Sequence, residues 1–322
     1  MVLAGALAIN PSYAQEPTQP SFSVLHEKGL PESFKQVGEK PEQGYAVEDY
    51  IDRKTPREVV IITDTHSDNR EFLKHDSRLI EFLMQEYQAD SLGIEGIWGE
   101  VENQDFKPLE NIFKGTELKG LLDNNSEARK SFFGALADSY KDIGIEFAFP
   151  DFKQHIGKIP VYGTENKELE EIMLIEKAIP RFTNKNQLEV LLDECRDIAK
   201  KRTDLPKTGL YFSGNRYQGI NSIRILENNA EIYYRLRNME FANNIQKYME
   251  KYNSKRGIVF VGVGHTFHIP AEYYSPEIRS LQQILPYSCL TIKGTSLKPL
   301  SDEQDKFRKQ LKELREITWQ KQ

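Results

Sequence analysis

The sequence predicts an α/β fold with a mostly parallel central sheet, built from β-α-β units, with helices on both faces and a helical insertion. Three observations lead to this prediction. Strand and helix patterns alternate along the chain, which is typical of parallel sheets. The strand candidates are short apolar runs rich in Val and Ile, the composition of strands that are buried on both faces. Several of these runs end directly in Asp, Glu or His.

The first β-α-β unit is predicted between residues 58 and 95. The run EVVIIT, Glu58 to Thr63, indicates a buried strand, and Asp68 to Gln88 carry apolar residues mostly at helical spacing. The run SLGIE, Ser91 to Glu95, indicates the second strand. A right-handed crossover is expected between two parallel strands connected in this way.

Further strands and helices follow in the second half of the chain. The run IPVYGTE, Ile159 to Glu165, predicts a third strand, and a charged helix begins at Lys167. A long helix is predicted from about Ile220 to Tyr252. The run IVFVGVGH after Gly257 is the most apolar strand candidate, and Tyr287 to Lys293 give one more.

The two ends of the chain differ from this pattern. Residues 1–14 hold a short apolar run followed by Ser12 and Ala14, small residues at the spacing that signal peptidase accepts, so we expect a signal peptide that is truncated at its start. Export to the periplasm or the extracellular space follows from that expectation. Residues 15–45 are rich in proline and predict a linker or arm. The α/β domain is then expected over residues 46–297, and an accessory helix over residues 298–322.

Composition and charge exclude some classes of function. The 322 residues include 43 basic and 49 acidic side chains, a net charge of −6, so no excess of positive charge exists to hold a nucleic acid. No apolar run approaches the roughly 18 residues of a membrane-spanning helix. The two cysteines, Cys195 and Cys289, are too few for a thiolate metal cage, and either a disulfide or two buried thiols would suit them.

Polar residues follow strand after strand at the predicted carboxyl edge of the sheet, where open α/β sheets bind ligands. If the strands are neighbours, imidazole and carboxylate groups face one crevice. Such a set can hold a divalent metal ion, or it can act as base, acid and oxyanion partner without metal. The residues are Asp64, His66, Glu95, Glu165, His265 and His268.

Each candidate also has an ordinary structural interpretation. Glu165 precedes a helix, where the helix dipole favours a carboxylate in any case, and His268 would suit a packed position behind the site. Gly262 and Gly264 begin a dinucleotide-binding fingerprint, but Phe267 stands where the third glycine belongs. We therefore expect these glycines to turn the backbone sharply and bring His265 over the sheet edge.

Two motifs resemble a known family. The segment RNMEFANNI, Arg237 to Ile245, followed by GIVFVGVGHTFHIP, resembles the R-N-x-x-x-A-x-x-I, strand, G-x-x-H signature of the TIKI/TraB family (TraB, PrgY, GumN). That family belongs to a wider group with the haem-binding ChaN lipoproteins and the erythromycin esterases. The segments EVVIITDTHSD and SLGIEGIWGE are similar to its amino-terminal half. The resemblance covers about Glu58 to Ile269, and residues 101–156 match no motif.

The resemblance implies roles for particular residues. His66 would be the first active-site histidine, Glu95 its carboxylate partner and His265 the second histidine, and the same three would hold a metal ion such as Mn, Co or Zn. Arg237 and Asn238 would point from their helix into the crevice. The other strand-end residues, Asp64, Glu165 and His268, would support the site together with Asn238.

The first motif departs from the TIKI pattern, because Thr63 replaces a glycine and Asp64 stands where ChaN-like and esterase-like members carry an acid.

Taken together, the strand-end residues and the resemblance predict a hydrolase, most closely a metal-dependent TIKI-like peptidase, in which Arg237 would stabilise an oxyanion. The alternatives are a metal-free, erythromycin-esterase-like enzyme that opens an ester or lactone, a ChaN-like protein that binds haem or iron, and an inactive crevice with a partner role. A haem site has no need for Arg237 and Glu95 beside both histidines, which favours catalysis.

Overall fold

Seven strands form one mixed sheet at the centre of the fold, in the spatial order β1-β9-β2-β8-β3-β5-β4. The computed structural model describes residues 45–64, 79–101, 115–132, 153–182, 184–202, 208–213, 222–226, 231–269, 271 and 277–294. The strands within these ranges are β1 (Tyr45–Ile51), β2 (Glu58–Asp64), β3 (Ser91–Ile94), β4 (Trp98–Glu100), β5 (Val161–Thr164), β6 (Thr208–Ser213), β7 (Ser222–Leu226), β8 (Arg256–Gly262) and β9 (Ser288–Gly294).

Helices cover the sheet and form a body beside it. The labelled α-helices are α1 (Glu117–Asp123), α2 (Lys167–Ala178), α3 (Lys185–Lys201), α4 (Arg237–Lys251) and α5 (Leu281–Ile284). Residues 79–85 and 126–132 are helical as well. The five strands β9, β2, β8, β3 and β5 run parallel, and β1 and β4 add antiparallel edges. The predicted α/β class with a mostly parallel sheet is confirmed.

Apolar residues alternate between the two faces of the sheet. On β2, Val60 and Ile62 pack on one face together with the helical residues 79–83. Val59 and Ile61 pack on the opposite face, against α4 and α5. Both faces are therefore buried, which explains why the strands read as continuous Val and Ile runs in the sequence.

The helical body has a core of its own. Residues of α1, α2, α3 and the helical residues 126–132 pack together through side chains such as Leu118, Phe132, Leu174 and Leu191. Helix α2 begins immediately after β5, because the Asn166 side chain caps it by accepting hydrogen bonds from two backbone amides at 3.0 and 3.2 Å. This cap turns the chain at the carboxyl end of β5.

One prediction of local structure is wrong, and one strand of the central sheet was not indicated by the sequence. The helix expected from about Ile220 begins later, because Ser222–Leu226 form β7, which pairs antiparallel with β6. Ile223 and Ile225 alternate with polar residues there, and this period of two suits a strand better than a helix. The sequence also did not indicate β1, since Glu48 and Asp49 interrupt its apolar pattern.

The predicted signal peptide (1–14), the accessory helix (298–322) and nearly all of the arm (15–45) lie outside the described residues. Cys195 and Cys289 are both buried free thiols, and they belong to separate apolar clusters. Burial raises the pKa of both thiols. Within the described ranges, no helix has both the length and the apolarity to cross a membrane.

Candidate active site

Three polar side chains meet at the carboxyl edge of the sheet because of the order of the strands. Glu95 follows β3, Glu165 follows β5, and His265 lies in the 3-10 turn Val263–Thr266 that follows β8. Strand β3 lies between β8 and β5, so Glu95 is placed between the other two. All three side chains are buried. In this arrangement Glu95, Glu165 and His265 lie at one edge of the sheet, where the strand ends of the sequence put them.

Arg237, the first residue of α4, joins the two carboxylates. Its Nη2 donates to Glu95 Oε1 at 2.9 Å and also to Glu165 Oε1, and its Nε donates to Glu165 Oε2 at 3.3 Å. Burial acts to lower the pKa of Arg237, but the charges of Glu165 and Glu95 outweigh it and hold that pKa above its ordinary value. The guanidinium therefore stays charged, and the two carboxylates have a buried counterion.

Backbone amides complete the binding of both carboxylates. Glu95 Oε2 accepts a hydrogen bond from the amide of Gly262, the last residue of β8. Glu165 Oε1 accepts one from the amide of Gly96 at 3.3 Å. Gly96 has φ +82°, a conformation that glycine adopts without steric cost, and it turns the chain directly after Glu95.

His265 is held through both of its ring nitrogens. Nδ1 lies 2.6 Å from Asn238 Oδ1, and Nε2 lies 3.2 Å from Glu95 Oε1. The Asn238 amide nitrogen donates to the carbonyl oxygen of Arg279 at 2.9 Å, so its oxygen is the atom that faces His265. Nδ1 must therefore carry a proton, which leaves Nε2 as the reactive nitrogen beside Glu95.

Two amide side chains that the sequence did not indicate support this arrangement. Asn244 donates to the carbonyl oxygens of Thr164 and Glu165 at 3.0 and 2.9 Å. Gln282 donates to the carbonyl oxygen of Thr266 at 2.9 Å, next to His265. Asn244 lies seven residues after Arg237, so helical periodicity alone would have placed it on the same face of α4.

Helix α2 adds titratable groups that the sequence also did not indicate. Burial raises the pKa of Glu170 to about 7, the nearby carboxylate of Glu165 acts in the same direction, and Arg237 and Lys177 act against it. Burial lowers the pKa of Lys177, while the Glu170 carboxyl opposes that shift. Glu170 and Lys177 are seven residues apart and so lie on one face of α2. The charges of Glu170 and Lys177 therefore depend on those of Glu165 and Arg237.

Of the other three predicted site residues, the structure describes the side chain of His268 alone. His66 lies outside the described residues. Asp64 ends β2 with its backbone opposite Gly262, and its side chain also lies outside the described part. His268 Nε2 lies 3.3 Å from Glu277 Oε2 near the surface, and no hydrogen bond among the described residues joins His268 to the cluster.

A divalent metal ion would need more ligands than the described residues supply. No group of three or more His, Cys, Asp or Glu side chains among them is arranged to hold a metal ion. His265 Nε2 and Glu95 Oε1 are close enough to share one, but Arg237 donates to the same carboxylate oxygen, and its charge opposes a cation there. The described residues alone do not fit a metal centre, and the predicted third ligand, His66, is not among them.

The fold and this cluster define an α/β protein with a buried group of two carboxylates, an arginine and a histidine at the carboxyl edge of its sheet. No family model, no curated protein and no solved structure matches this chain. The resemblance to the TIKI/TraB family therefore stays a prediction that rests on the two sequence motifs.

Proposed function

We propose that the chain is a hydrolase that uses this cluster to add water to the carbonyl carbon of a peptide or ester. The observation that carries the proposal is the placement of His265 Nε2 at 3.2 Å from Glu95 Oε1, with Nδ1 held by Asn238. A histidine oriented at one nitrogen and paired with a carboxylate at the other is suited to move a proton during catalysis.

The pair holds one proton between its two members. Both Nε2 and a carboxylate oxygen have lone pairs, so without a metal ion their approach is favourable only with a proton between them. Glu95 accepts hydrogen bonds from Arg237 and from the Gly262 amide, so in the proposed reaction Glu95 is the carboxylate of the pair and His265 carries the proton on Nε2. In this state His265 is the acid of the pair, and Glu95 orients it.

The reaction then needs a base and a group that stabilises the oxyanion. In the proposed reaction, His66 removes a proton from water, and the water oxygen bonds to the carbonyl carbon. His265 gives its Nε2 proton to the leaving oxygen or nitrogen as the bond from that atom to the carbonyl carbon breaks. Arg237 uses Nε and Nη2 for Glu95 and Glu165, so among the described residues its Nη1 is left for the substrate oxygen.

The test is hydrolysis of a panel of aryl esters, a lactone and quenched fluorescent peptides by the full chain. We expect turnover by the wild type, and a fall in kcat of about 10²- to 10⁴-fold in His265→Ala and Glu95→Gln. Glu100→Gln is the matched control, because Glu100 pairs with Lys251 on the surface. No turnover on the whole panel, or full activity of His265→Ala, would refute the proposal.

A metal-dependent form of the same reaction is the second candidate. The specific observation in its favour is the 3.2 Å spacing of His265 Nε2 and Glu95 Oε1, which suits two neighbouring ligands of one ion. Elemental analysis and an absorbance scan of wild type and of a His66→Ala, His265→Ala double variant separate the candidates. Near-stoichiometric Mn, Co or Zn that the variant loses supports this form, and a haem absorbance band would support a binding protein instead.

A further inference from the structure

Tyr234 lies beside the cluster but belongs to none of its hydrogen bonds. It lies in the π-helical turn Glu231–Leu236, which leads directly into α4 at Arg237. Such turns are rare in proteins and occur often at functional sites. Tyr234 precedes Arg237 by three residues, so both side chains leave the chain near the start of α4.

The ring of Tyr234 packs over the turn that carries His265. Its centroid lies 6.5 Å from that of the His265 ring. A Cβ atom added to Gly264 would lie only 3.2 Å from Tyr234 Cε1, so the ring approaches the backbone closely at that position. This contact holds the Tyr234 ring next to the proposed acid, with the side chain half-buried.

Among the described residues, the hydroxyl group of Tyr234 is an unused donor. No hydrogen bond joins it to another described residue, and the side chain is only partly buried, so the hydroxyl is open to a ligand or to water. Burial raises the pKa of Tyr234, and the positive charge of Arg237 acts in the opposite direction. The phenol is therefore neutral near pH 7 and keeps its proton for donation.

We propose that the Tyr234 hydroxyl is a further catalytic group, which donates a hydrogen bond to the substrate oxygen that becomes negatively charged during hydrolysis. It would act together with Arg237, so the oxyanion would receive one neutral and one charged donor. This inference rests on the proposed function and names a residue that neither sequence motif contains.

The first experiment measures kinetics on the best substrate of the panel. Tyr234→Phe removes only the hydroxyl and keeps the ring on Gly264. We expect kcat to fall about 10²-fold with little change in KM, because the hydrogen bond forms chiefly in the transition state. Tyr252→Phe is the matched control, since Tyr252 follows the far end of α4 and its hydroxyl donates at 2.8 Å to Glu100 of β4.

The second experiment does not depend on turnover. Methylphosphonate is a tetrahedral anion that mimics the proposed intermediate, and its binding is measured by calorimetry. We expect Tyr234→Phe to weaken binding about tenfold and Tyr252→Phe to leave it unchanged. If the panel shows no turnover but this difference is seen, the hydrolase proposal fails and Tyr234 remains an anion-binding residue.

Two results would overturn the inference. One is a Tyr234→Phe variant that matches the wild type in kcat and in methylphosphonate binding, in which case hydrolysis itself would still stand. The other is a wild-type protein that does not bind methylphosphonate.

Discussion

Arg237 and Glu95 are joined across 142 residues of sequence by a buried hydrogen bond of 2.9 Å between Nη2 and Oε1. The contact ties the start of α4 to the carboxyl end of β3. Since Arg237 also neutralises Glu165, one guanidinium serves two buried carboxylates. The stability of the fold and the charge of the site therefore depend on the same side chain.

Replacing Arg237 tests this dependence. Arg237→Met leaves Glu165 buried without its counterion and removes one of the partners of Glu95, so we expect a loss of about 3–5 kcal/mol in the free energy of unfolding. Urea denaturation at pH 7 measures it. The control is Lys251→Met, which breaks an exposed pair with Glu100 and is expected to cost less than about 1 kcal/mol. Equal losses in the two variants would contradict a buried ion cluster.

Asn238 is predicted to set the tautomer of His265. Asn238→Ala removes the acceptor for Nδ1, and a buried N–H without a partner costs about 1–3 kcal/mol of stability. The nitrogen chemical shifts of the His265 ring should show a proton on Nδ1 in the wild type and an altered distribution of protons in the variant. Unchanged shifts in the variant would mean that another group holds the ring.

Glu170 is predicted to make stability depend on pH. In the unfolded chain it loses its proton near the ordinary value of 4.5, whereas burial keeps it protonated in the fold until about pH 7. The folded state thus binds more protons in this interval, and its stability falls as pH rises from about 4.5 to 7 and stays lower above.

Glu170→Gln removes this effect. Relative to the wild type, the variant should gain stability across the same interval, up to about 3 kcal/mol at pH 8. Urea denaturation at several pH values measures the difference. The exposed Glu189→Gln supplies the control, and a difference from wild type that does not change with pH would show that Glu170 is ionised throughout. Glu171, whose pKa burial and Glu194 also raise to about 7, affects both proteins equally.

Gly163 allows the approach that positions Glu165. A Cβ atom on this residue of β5 would lie 2.1 Å from the carbonyl oxygen of Ile97, the same oxygen that accepts the Glu165 amide at 3.0 Å. We expect Gly163→Ala to cost about 3 kcal/mol, because backbone atoms cannot move aside cheaply. Gly120→Ala in α1 meets nothing within 4 Å and should stabilise by about 0.5–1 kcal/mol. Thermal unfolding distinguishes the two, and a mild effect at Gly163 would refute the tight contact.

The sequence by itself determined the elements whose signal is local. Strands β2, β3, β5, β8 and β9 are apolar runs that need no knowledge of their neighbours, because a strand buried on both faces must be apolar throughout. Their ends indicated Glu95, Glu165 and His265, and a motif indicated Arg237 and Asn238. Strand β1, whose apolar pattern is interrupted by acidic residues, was not indicated by the sequence. Strand β7 was predicted to be part of a helix.

The tertiary structure alone decided which of these residues meet. The strand order places β3 between β8 and β5, although the chain visits them in a different order. That order makes Glu95 the shared partner of Arg237 and His265, and it brings Asn244 and Tyr234 to the same edge. Periodicity reports whether a residue is buried, but its neighbours follow from pairings between distant strands, which depend on the packing of the whole core.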